Sequence, residues 1–175
     1  GEVIKGIKQN VRNISKAVIG THTHNDMGMA TANAIAGVEA GARQIECCMN
    51  GLGERTGNAD TGVLAMIFRE HPELGIQTKV RPKLIIPTAK YIADLVGIDI
   101  AQNQPLVGKN AFRTGSGLHQ YGLMKDVRLK PRPKVFSYSA FDPKAYGGEF
   151  EFVYNFQTGS HALVFKLNEL GYADI

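Results

Sequence analysis

The stretch Ala17-Val18-Ile19-Gly20-Thr21-His22-Thr23-His24-Asn25-Asp26 decides the fold class, because an apolar run passes directly into a cluster of polar residues. Its first six residues are typical of a buried β-strand. Residues 27–41 follow, are rich in alanine and end at Gly41, so they predict a closely packed helix. A strand whose polar end leads into a helix is the repeating unit of parallel α/β structure, and ligands gather at the carboxyl ends of such strands.

The same order occurs once more along the chain. Residues 44–49 predict a second strand, residues 50–57 form a glycine-rich loop, and residues 58–68 show helical spacing of their apolar positions. The apolar spacing over residues 2–12 indicates a helix before the first strand. This part of the chain therefore alternates between helix and strand, which predicts the α/β class with a parallel sheet.

The composition excludes several other classes of protein. The 175 residues include 43% hydrophobic and 21% charged side chains with a net charge of +4, which is unlike a disordered chain. Cys47 and Cys48 are the only cysteines and are neighbours, so we expect no disulfide and a reducing compartment, the cytoplasm or a eukaryotic organelle. No apolar run reaches the roughly 18 residues of a membrane span. The 20 Lys and Arg are offset by 16 Asp and Glu, so neither membrane nor nucleic acid is an expected partner.

The character of the sequence changes near His71 and Pro72. All seven prolines lie from Pro72 onward. This part predicts short helices and irregular connections, with helical spacing over residues 88–96 and 161–170 and a strand over residues 149–156. We therefore expect a domain boundary after His71.

His22 and His24 are the strongest candidates for chemistry. Residues two apart on a strand point to the same face, so both imidazoles can present a nitrogen to one metal ion. The alternative is that one histidine ends the strand and the other donates a hydrogen bond. Their position at the end of a strand, directly before a helix, favours a site.

The loop Gly51-Leu52-Gly53-Glu54-Arg55-Thr56-Gly57-Asn58 is the second candidate. Its third glycine lies one residue too late for a dinucleotide fingerprint, and no Gly-Lys-Ser/Thr is present, so a P-loop is excluded. The loop can instead bring Glu54, Arg55 and Asn58 into the same mouth as the histidines. Asn58 offers an oxygen to a hard cation, or it is simply the N-cap of the next helix.

These motifs together resemble one protein family. The match covers the His-Thr-His-Asn-Asp turn, the helix with Val38-Glu39-Ala40-Gly41-Ala42, Glu46 and the loop that ends at Asn58. It continues through Leu106-Val107-Gly108-Lys109-Asn110-Ala111-Phe112, Ser116-Gly117-Leu118-His119-Gln120, Phe141-Asp142-Pro143 and Gly159-Ser160-His161-Ala162-Leu163. Over nearly its whole length the chain closely resembles the 2-isopropylmalate synthase, homocitrate synthase and citramalate synthase family of the DRE-TIM metallolyase superfamily.

The resemblance implies the C-terminal portion of a (β/α)8 TIM barrel, followed by a mostly helical linker with a small α+β subdomain. Residues 1–71 would form the last two strand-helix units of the barrel, residues 72–140 a helical linker subdomain, and residues 141–175 a small α+β subdomain. A complete barrel takes roughly 250 residues. The chain is therefore expected to be a fragment that is inactive by itself.

The resemblance also implies one divalent metal ion, Mg²⁺, Mn²⁺ or Zn²⁺, with His22, His24 and Asn58 as ligands. The aspartate ligand of the family belongs to an Asp-Arg-Glu segment that has no counterpart in this chain. Glu54 and Arg55 are then candidate substrate-binding residues. Aldol-cleaving lyases of the superfamily typically carry a cysteine in this loop, so the sequence favours a synthase.

Two residues of the second half complete the implied catalytic set. His119 matches a linker histidine that reaches into the site of the partner subunit and helps to activate acetyl-CoA, and Tyr138 matches its tyrosine companion. Where many relatives have an aspartate two residues after this histidine, the chain has Tyr121. The implied assembly is a homodimer formed through the linker subdomains.

The implied function is that of an acyltransferase. Acetyl-CoA, the co-substrate, would condense in a Claisen-type reaction with a 2-oxo acid, 2-oxoisovalerate giving 2-isopropylmalate for leucine biosynthesis. Homocitrate synthase and citramalate synthase are alternatives, and a non-catalytic dimerisation or assembly module is the alternative of a different class. The basic residues between positions 125 and 134 are expected to form a solvated face, with contact to CoA phosphates as the alternative.

Overall fold

The structure, a computed structural model, describes residues 1–172, and the chain divides into two compact units. The first unit comprises Gly1–Pro82 and Thr88–Asp99. The second comprises Lys83–Pro87 and the chain from Ile100 onward. The division into residues 1–71, 72–140 and 141–175 stays a prediction.

The first unit alternates helices and strands as the sequence predicts. Its elements are α1 (Glu2–Asn10), β1 (Gly20–His22), α2 (Ala30–Glu39), β2 (Gln44–Glu46), α3 (Thr61–Glu70) and the larger part of α4 (Ile85–Val96). β1 and β2 pair in parallel, with Gly20 opposite Gln44 and His22 opposite Glu46. The predicted parallel α/β order is therefore confirmed for these two strands.

The first residues of β1 and α3 differ from the prediction. β1 begins at Gly20 rather than Ala17, and Val18 is 58% exposed, because no described segment covers that part of the chain. α3 begins at Thr61, since the Asp60 carboxylate accepts hydrogen bonds from the first backbone amides of the helix. Asp60 is thus the N-cap, and the simple capping role considered for Asn58 is wrong.

Small residues let α2 pack closely against β1. Ala30 and Ala34 are buried to within 1% of full burial, and a Cβ placed on Gly37 would overlap the Thr21 methyl group. Leu64 and Phe68 of α3 complete the same core. This close approach explains the alanine-rich sequence of α2, and it holds the carboxyl end of β1 beside that of β2.

The second unit is built around a short parallel sheet. β3 (Arg113–Thr114) pairs with β4 (Glu151–Phe152), and the helices are α5 (Gly117–Arg128) and α6 (Ser160–Glu169). The predicted strand over residues 149–156 is therefore shorter than expected. Gln120 of α5 is completely buried, and its Nε2 donates to the carbonyl oxygens of Thr114 at 3.1 Å and Val153 at 2.8 Å. This side chain connects α5 to β3 and to the residue that follows β4.

Two further expectations can be compared with the structure. Cys47 and Cys48 are both free thiols, as expected. Within residues 1–172, no helix combines the length and the apolar character needed to cross a membrane.

Candidate functional site

His22 and His24 lie side by side at the carboxyl end of β1. Thr21 is buried while its two neighbours in the strand are exposed, so the strand alternation turns His22 outward. The two imidazole rings have centroids 4.9 Å apart and meet edge to face at 72°. The predicted placement of the pair on one face is confirmed, whereas its role as a metal ligand pair stays a prediction.

Glu46 faces His22 from the adjacent strand. The two residues are direct partners in the register of β1 and β2, and Glu46 Oε2 lies 3.3 Å from His22 Nδ1. A carboxylate at Nδ1 favours a proton on that nitrogen and leaves Nε2 as the unprotonated nitrogen. The sequence reasoning did not assign Glu46 a role in the site, although its position at the end of the second strand was a usable signal.

Asn58 pairs with the histidine turn through the backbone. It forms an antiparallel bridge with His24, and its Nδ2 donates to the Leu52 carbonyl oxygen at 3.1 Å and contacts Cys48 Sγ at 3.6 Å. Its Oδ1 is buried and has no hydrogen-bond partner among residues 1–172. A buried oxygen without a partner is energetically costly, and coordination of a cation would satisfy it.

Gly53 makes room for this amide. A Cβ at Gly53 would lie 2.5 Å from Asn58 Nδ2 and 2.8 Å from its Cγ, closer than real side chains approach. Gly57 has a positive φ of 87°, and a side chain there would overlap the Gly51 carbonyl oxygen. The glycines therefore serve the packing of the loop around Asn58.

Backbone hydrogen bonds join the two strand-end loops. The Asn25 amide donates to the Gly57 carbonyl oxygen at 2.8 Å, and the Ala59 amide donates to the Thr23 carbonyl oxygen at 3.3 Å. His24 and Asn58 lie between these two bonds. The turn after β1 and the loop after β2 thus form one structure around the candidate ligands.

Arg55 and Asp26 connect the same loops through their side chains. Arg55 Nε donates to Asp26 Oδ1 at 2.7 Å and Nη2 donates to Oδ2 at 2.9 Å. These hydrogen bonds lower the pKa of the Asp26 carboxyl group and raise that of the guanidinium. Glu54 is 85% exposed, with Oε2 3.6 Å from Arg55 Nη1. Substrate binding by Glu54 and Arg55 stays a prediction.

The donor set fits a divalent cation but is incomplete within the described part of the chain. Among residues 1–172, no group of three or more His, Cys, Asp or Glu side chains is arranged to hold a metal ion. The candidate ligands are two imidazoles and one amide oxygen, a mixed nitrogen and oxygen set that Mg²⁺, Mn²⁺ and Zn²⁺ all accept to different degrees. The unpartnered Asn58 Oδ1 supports this fit.

The second unit brings His119 and Tyr138 together. Their ring centroids are 4.3 Å apart and the rings are tilted by 31°, although the residues lie on α5 and on the irregular segment after it. Both line a pocket of about 130 Å³, together with Phe112, Leu123 and Phe150. Tyr138 is 44% exposed, so the pair lies where this pocket opens to solvent. The two candidate residues are therefore neighbours, and their catalytic role stays a prediction.

The basic residues of the second unit do not form one uniform face. Lys125 lies over the Tyr121 ring at 4.3 Å, and Arg128 lies over the Phe165 ring at 4.7 Å. Arg132 instead donates to both carboxylate oxygens of Asp142. The remaining two expected members of the cluster, Lys130 and Lys134, are exposed.

The sequence that forms this site can be compared with known protein families. Residues 1–92 match the protein family described as HMGL-like, and this match covers more than half of the chain. The chain belongs to the HMGL-like family. Membership implies a TIM-barrel type of fold for this part of the chain, with β1 and β2 as two neighbouring parallel strands of it.

Individual relatives of this HMGL-like chain are similar over nearly its whole length. The 2-isopropylmalate synthase of Dictyoglomus turgidum is 40% identical over 174 residues, which cover 99% of this chain and 33% of the relative. That of Acetivibrio thermocellus is 40% identical over 98% of the chain and 32% of the relative, and that of Olsenella uli is 41% identical over 99% and 33%. The chain therefore spans about a third of the length of the curated relatives that it matches.

Proposed function

We propose that this chain is part of a 2-isopropylmalate-synthase-like acyltransferase, which condenses acetyl-CoA with 2-oxoisovalerate in leucine biosynthesis. The observation that carries the proposal is the identity of about 40% to enzymes of that name across both units, and not only across the HMGL-like part. In this proposal residues 1–71 are the last two strand-helix units of a barrel, residues 72–140 a helical linker and residues 141–175 a small α+β subdomain. The proposed location is the cytoplasm.

In the first unit, we propose that His22, His24 and Asn58 hold one divalent metal ion, Mg²⁺, Mn²⁺ or Zn²⁺. Bound there, the ion would supply Lewis-acid chemistry toward the keto and carboxylate oxygens of a 2-oxo acid. Glu46 orients His22, and the exposed Glu54 is available to contact the substrate. Arg55 is a second proposed substrate-binding residue, through the Nη1 that does not bond to Asp26.

In the second unit, we propose that His119 accepts a proton from the methyl group of acetyl-CoA while the Tyr138 hydroxyl group donates a hydrogen bond to the developing enolate oxygen. The enolate carbon then bonds to the keto carbon of the 2-oxo acid, whose oxygen takes up a proton. Hydrolysis of the thioester releases CoA and makes the condensation irreversible. The ring contact between His119 and Tyr138 keeps both groups at one mouth. In the proposed homodimer this pair acts at the metal site of the second subunit.

A substrate panel separates the proposal from its nearest alternatives. The protein that carries this sequence would be assayed with acetyl-CoA and 2-oxoisovalerate, pyruvate or 2-oxoglutarate, by following the release of the CoA thiol. We expect the highest kcat/KM with 2-oxoisovalerate. A clear preference for pyruvate or 2-oxoglutarate would indicate a citramalate or homocitrate synthase instead.

A chimaera tests the contribution of these 175 residues directly. Residues 1–175 would replace the matching third of the D. turgidum synthase, and turnover would be compared with that of the parent enzyme. We expect turnover in the chimaera, and its loss in His22→Ala and His24→Ala versions with a weaker binding of Mn²⁺. His71→Ala is the matched control, because His71 is exposed and pairs with Glu73 away from the site. A folded chimaera that binds Mn²⁺ equally well with and without both histidines would refute the metal site.

A further inference from the structure

Arg55 occupies a backbone conformation that an arginine rarely adopts. Its φ is +55°, in the left-handed region, which a residue with a side chain adopts less readily than glycine. The side chain at this position therefore has a task that offsets the strain.

The observed contact shows what that task is. Nε and Nη2 of Arg55 face the two carboxylate oxygens of Asp26 in a side-by-side, bidentate geometry, at 2.7 and 2.9 Å. Such a pair has a defined orientation as well as an attraction, which a lysine could not reproduce. The Nε and Nη2 edge of the guanidinium is thereby occupied by a residue of the protein, and Nη1 takes no part in this pair.

The Arg55-Asp26 pair lies close in sequence to the candidate metal ligands. Asp26 lies two residues after His24, and Arg55 lies three residues before Asn58. The backbone bonds from Asn25 to Gly57 and from Ala59 to Thr23 already join the inner parts of the two loops. The ion pair closes the outer part of the same structure, where both loops would otherwise be free to separate.

We propose that Arg55 and Asp26 form a latch that holds the Asn58 loop against the histidine turn, so that Arg55 is a positioning residue of this site. The proposal rests on the proposed function only for the identity of the ligand, since the latch itself is a property of the two loops. Both side chains are about half exposed, and exposed ion pairs contribute little to global stability. The latch should therefore affect the geometry of the site much more than the melting temperature.

The test uses the full protein that carries this sequence and two readouts that need no turnover. The first is the side-chain amide resonance of Asn58 in ¹H-¹⁵N NMR spectra, and the second is the affinity for Mn²⁺. We expect Arg55→Gln and Asp26→Asn each to shift the Asn58 resonance and to weaken Mn²⁺ binding by about tenfold, as loss of an outer positioning contact does in other metal sites. The melting temperature should change by less than about 2 °C.

Two double variants decide whether the effect comes from the pair. In Arg55→Gln with Asp26→Asn, the loss should equal that of either single variant, because both remove one interaction. In Asp26→Arg with Arg55→Asp, the reversed pair should restore the Asn58 resonance, since aspartate tolerates a left-handed backbone. Arg132→Gln, which removes another Arg-Asp pair in the second unit, is the matched control and should change neither readout.

Unchanged spectra and affinity in the single variants would overturn the latch, and so would additive losses in the first double variant. The outcome is separable from that of the proposed function. If the substrate panel shows no condensation but the Asn58 resonance follows the pair as described, the latch stands and the proposed activity fails. If condensation occurs but the Asn58 resonance is unchanged in the Arg55 and Asp26 variants, the proposed activity stands and the latch fails.

Discussion

Nδ1 of His22 lies 3.3 Å from Oε2 of Glu46, across the register of two adjacent parallel strands. Carboxylates that contact the outer nitrogen of a metal-binding histidine fix its tautomer and the orientation of its ring. Glu46 is therefore expected to hold His22 in the tautomer that can bind a cation through Nε2, without coordinating the cation itself.

The first prediction follows from this pair. Glu46→Gln should weaken Mn²⁺ binding by about tenfold to hundredfold, because the amide cannot stabilise the Nδ1 proton as a carboxylate does. In ¹⁵N NMR spectra, the His22 ring should show more of the opposite tautomer than in the unchanged protein. Glu39→Gln is a suitable control, because Glu39 is an exposed residue at the end of α2. Equal metal affinity and an unchanged tautomer in the Glu46 variant would contradict the assignment.

The second prediction concerns the space at Gly53. Gly53→Ala should displace the Asn58 amide, because the new Cβ would lie 2.5 Å from Nδ2. We expect weaker Mn²⁺ binding and a shifted Asn58 amide resonance in a protein that keeps its circular dichroism spectrum. Gly6→Ala, which meets nothing within 4 Å and lies in α1, should leave the site unaffected and is expected to be neutral or to stabilise the helix by about 0.5–1 kcal/mol. If both alanine variants bind Mn²⁺ alike, the glycine loop does not control Asn58.

The third prediction concerns the buried Gln120. Gln120→Leu should lower the free energy of unfolding by about 1–3 kcal/mol, because the Val153 carbonyl oxygen would lose the amide donor, whereas the Thr114 carbonyl oxygen keeps its hydrogen bond from the Val153 amide. Chemical denaturation followed by circular dichroism would measure the change. Gln157→Leu is a control of the same chemistry at an exposed position, where little change is expected. A loss well below 1 kcal/mol at Gln120 would mean that water replaces the lost donor.

The fourth prediction is a pH dependence that involves Glu151. The hydrogen bonds from Arg113, at 2.7 and 2.5 Å, lower the pKa of this carboxyl group below its ordinary value of 4.5. A carboxyl group whose pKa is lower in the folded state stabilises the fold at pH values above its unfolded pKa, and this contribution is lost as the pH falls through the folded pKa. Melting temperatures measured from pH 6 to about pH 3 should therefore fall less steeply in Glu151→Gln than in the unchanged protein. Parallel curves would show that the pair is screened by solvent.

Local patterns in the sequence were sufficient to predict the elements of the first unit. The spacing of apolar residues located α1 and α3, the alanine content and Gly41 located α2, and the strand alternation predicted that His22 and His24 share a face. These predictions succeeded because each depends on residues that are close together in the chain. The first turns of the helices were misplaced, since the Asp60 cap and the Asn25 contact to Ala30 depend on the exact path of the loops.

Local sequence patterns could not predict which residues contact the site residues. Arg55 meets Asp26 across 29 positions, and Glu46 meets His22 only because two strands pair in one register. A shift of the register by one residue would turn Glu46 to the other face of the sheet. The contact of His119 with Tyr138 likewise depends on the irregular path of the chain after α5.

The sequence by itself determined the alternation of strands and helices, the paired histidines and the membership of the HMGL-like family, because periodicity and motif spacing are properties of neighbouring residues. Only the tertiary structure decided that the Asn58 side-chain oxygen is buried with no partner in the described part of the chain, that Glu46 faces His22, and that Arg55 is bound to Asp26. These relationships arise where two loops meet in space. Hydrogen bonds and ion pairs depend on distances of a few tenths of an ångström, which only the packing of the strands and helices fixes.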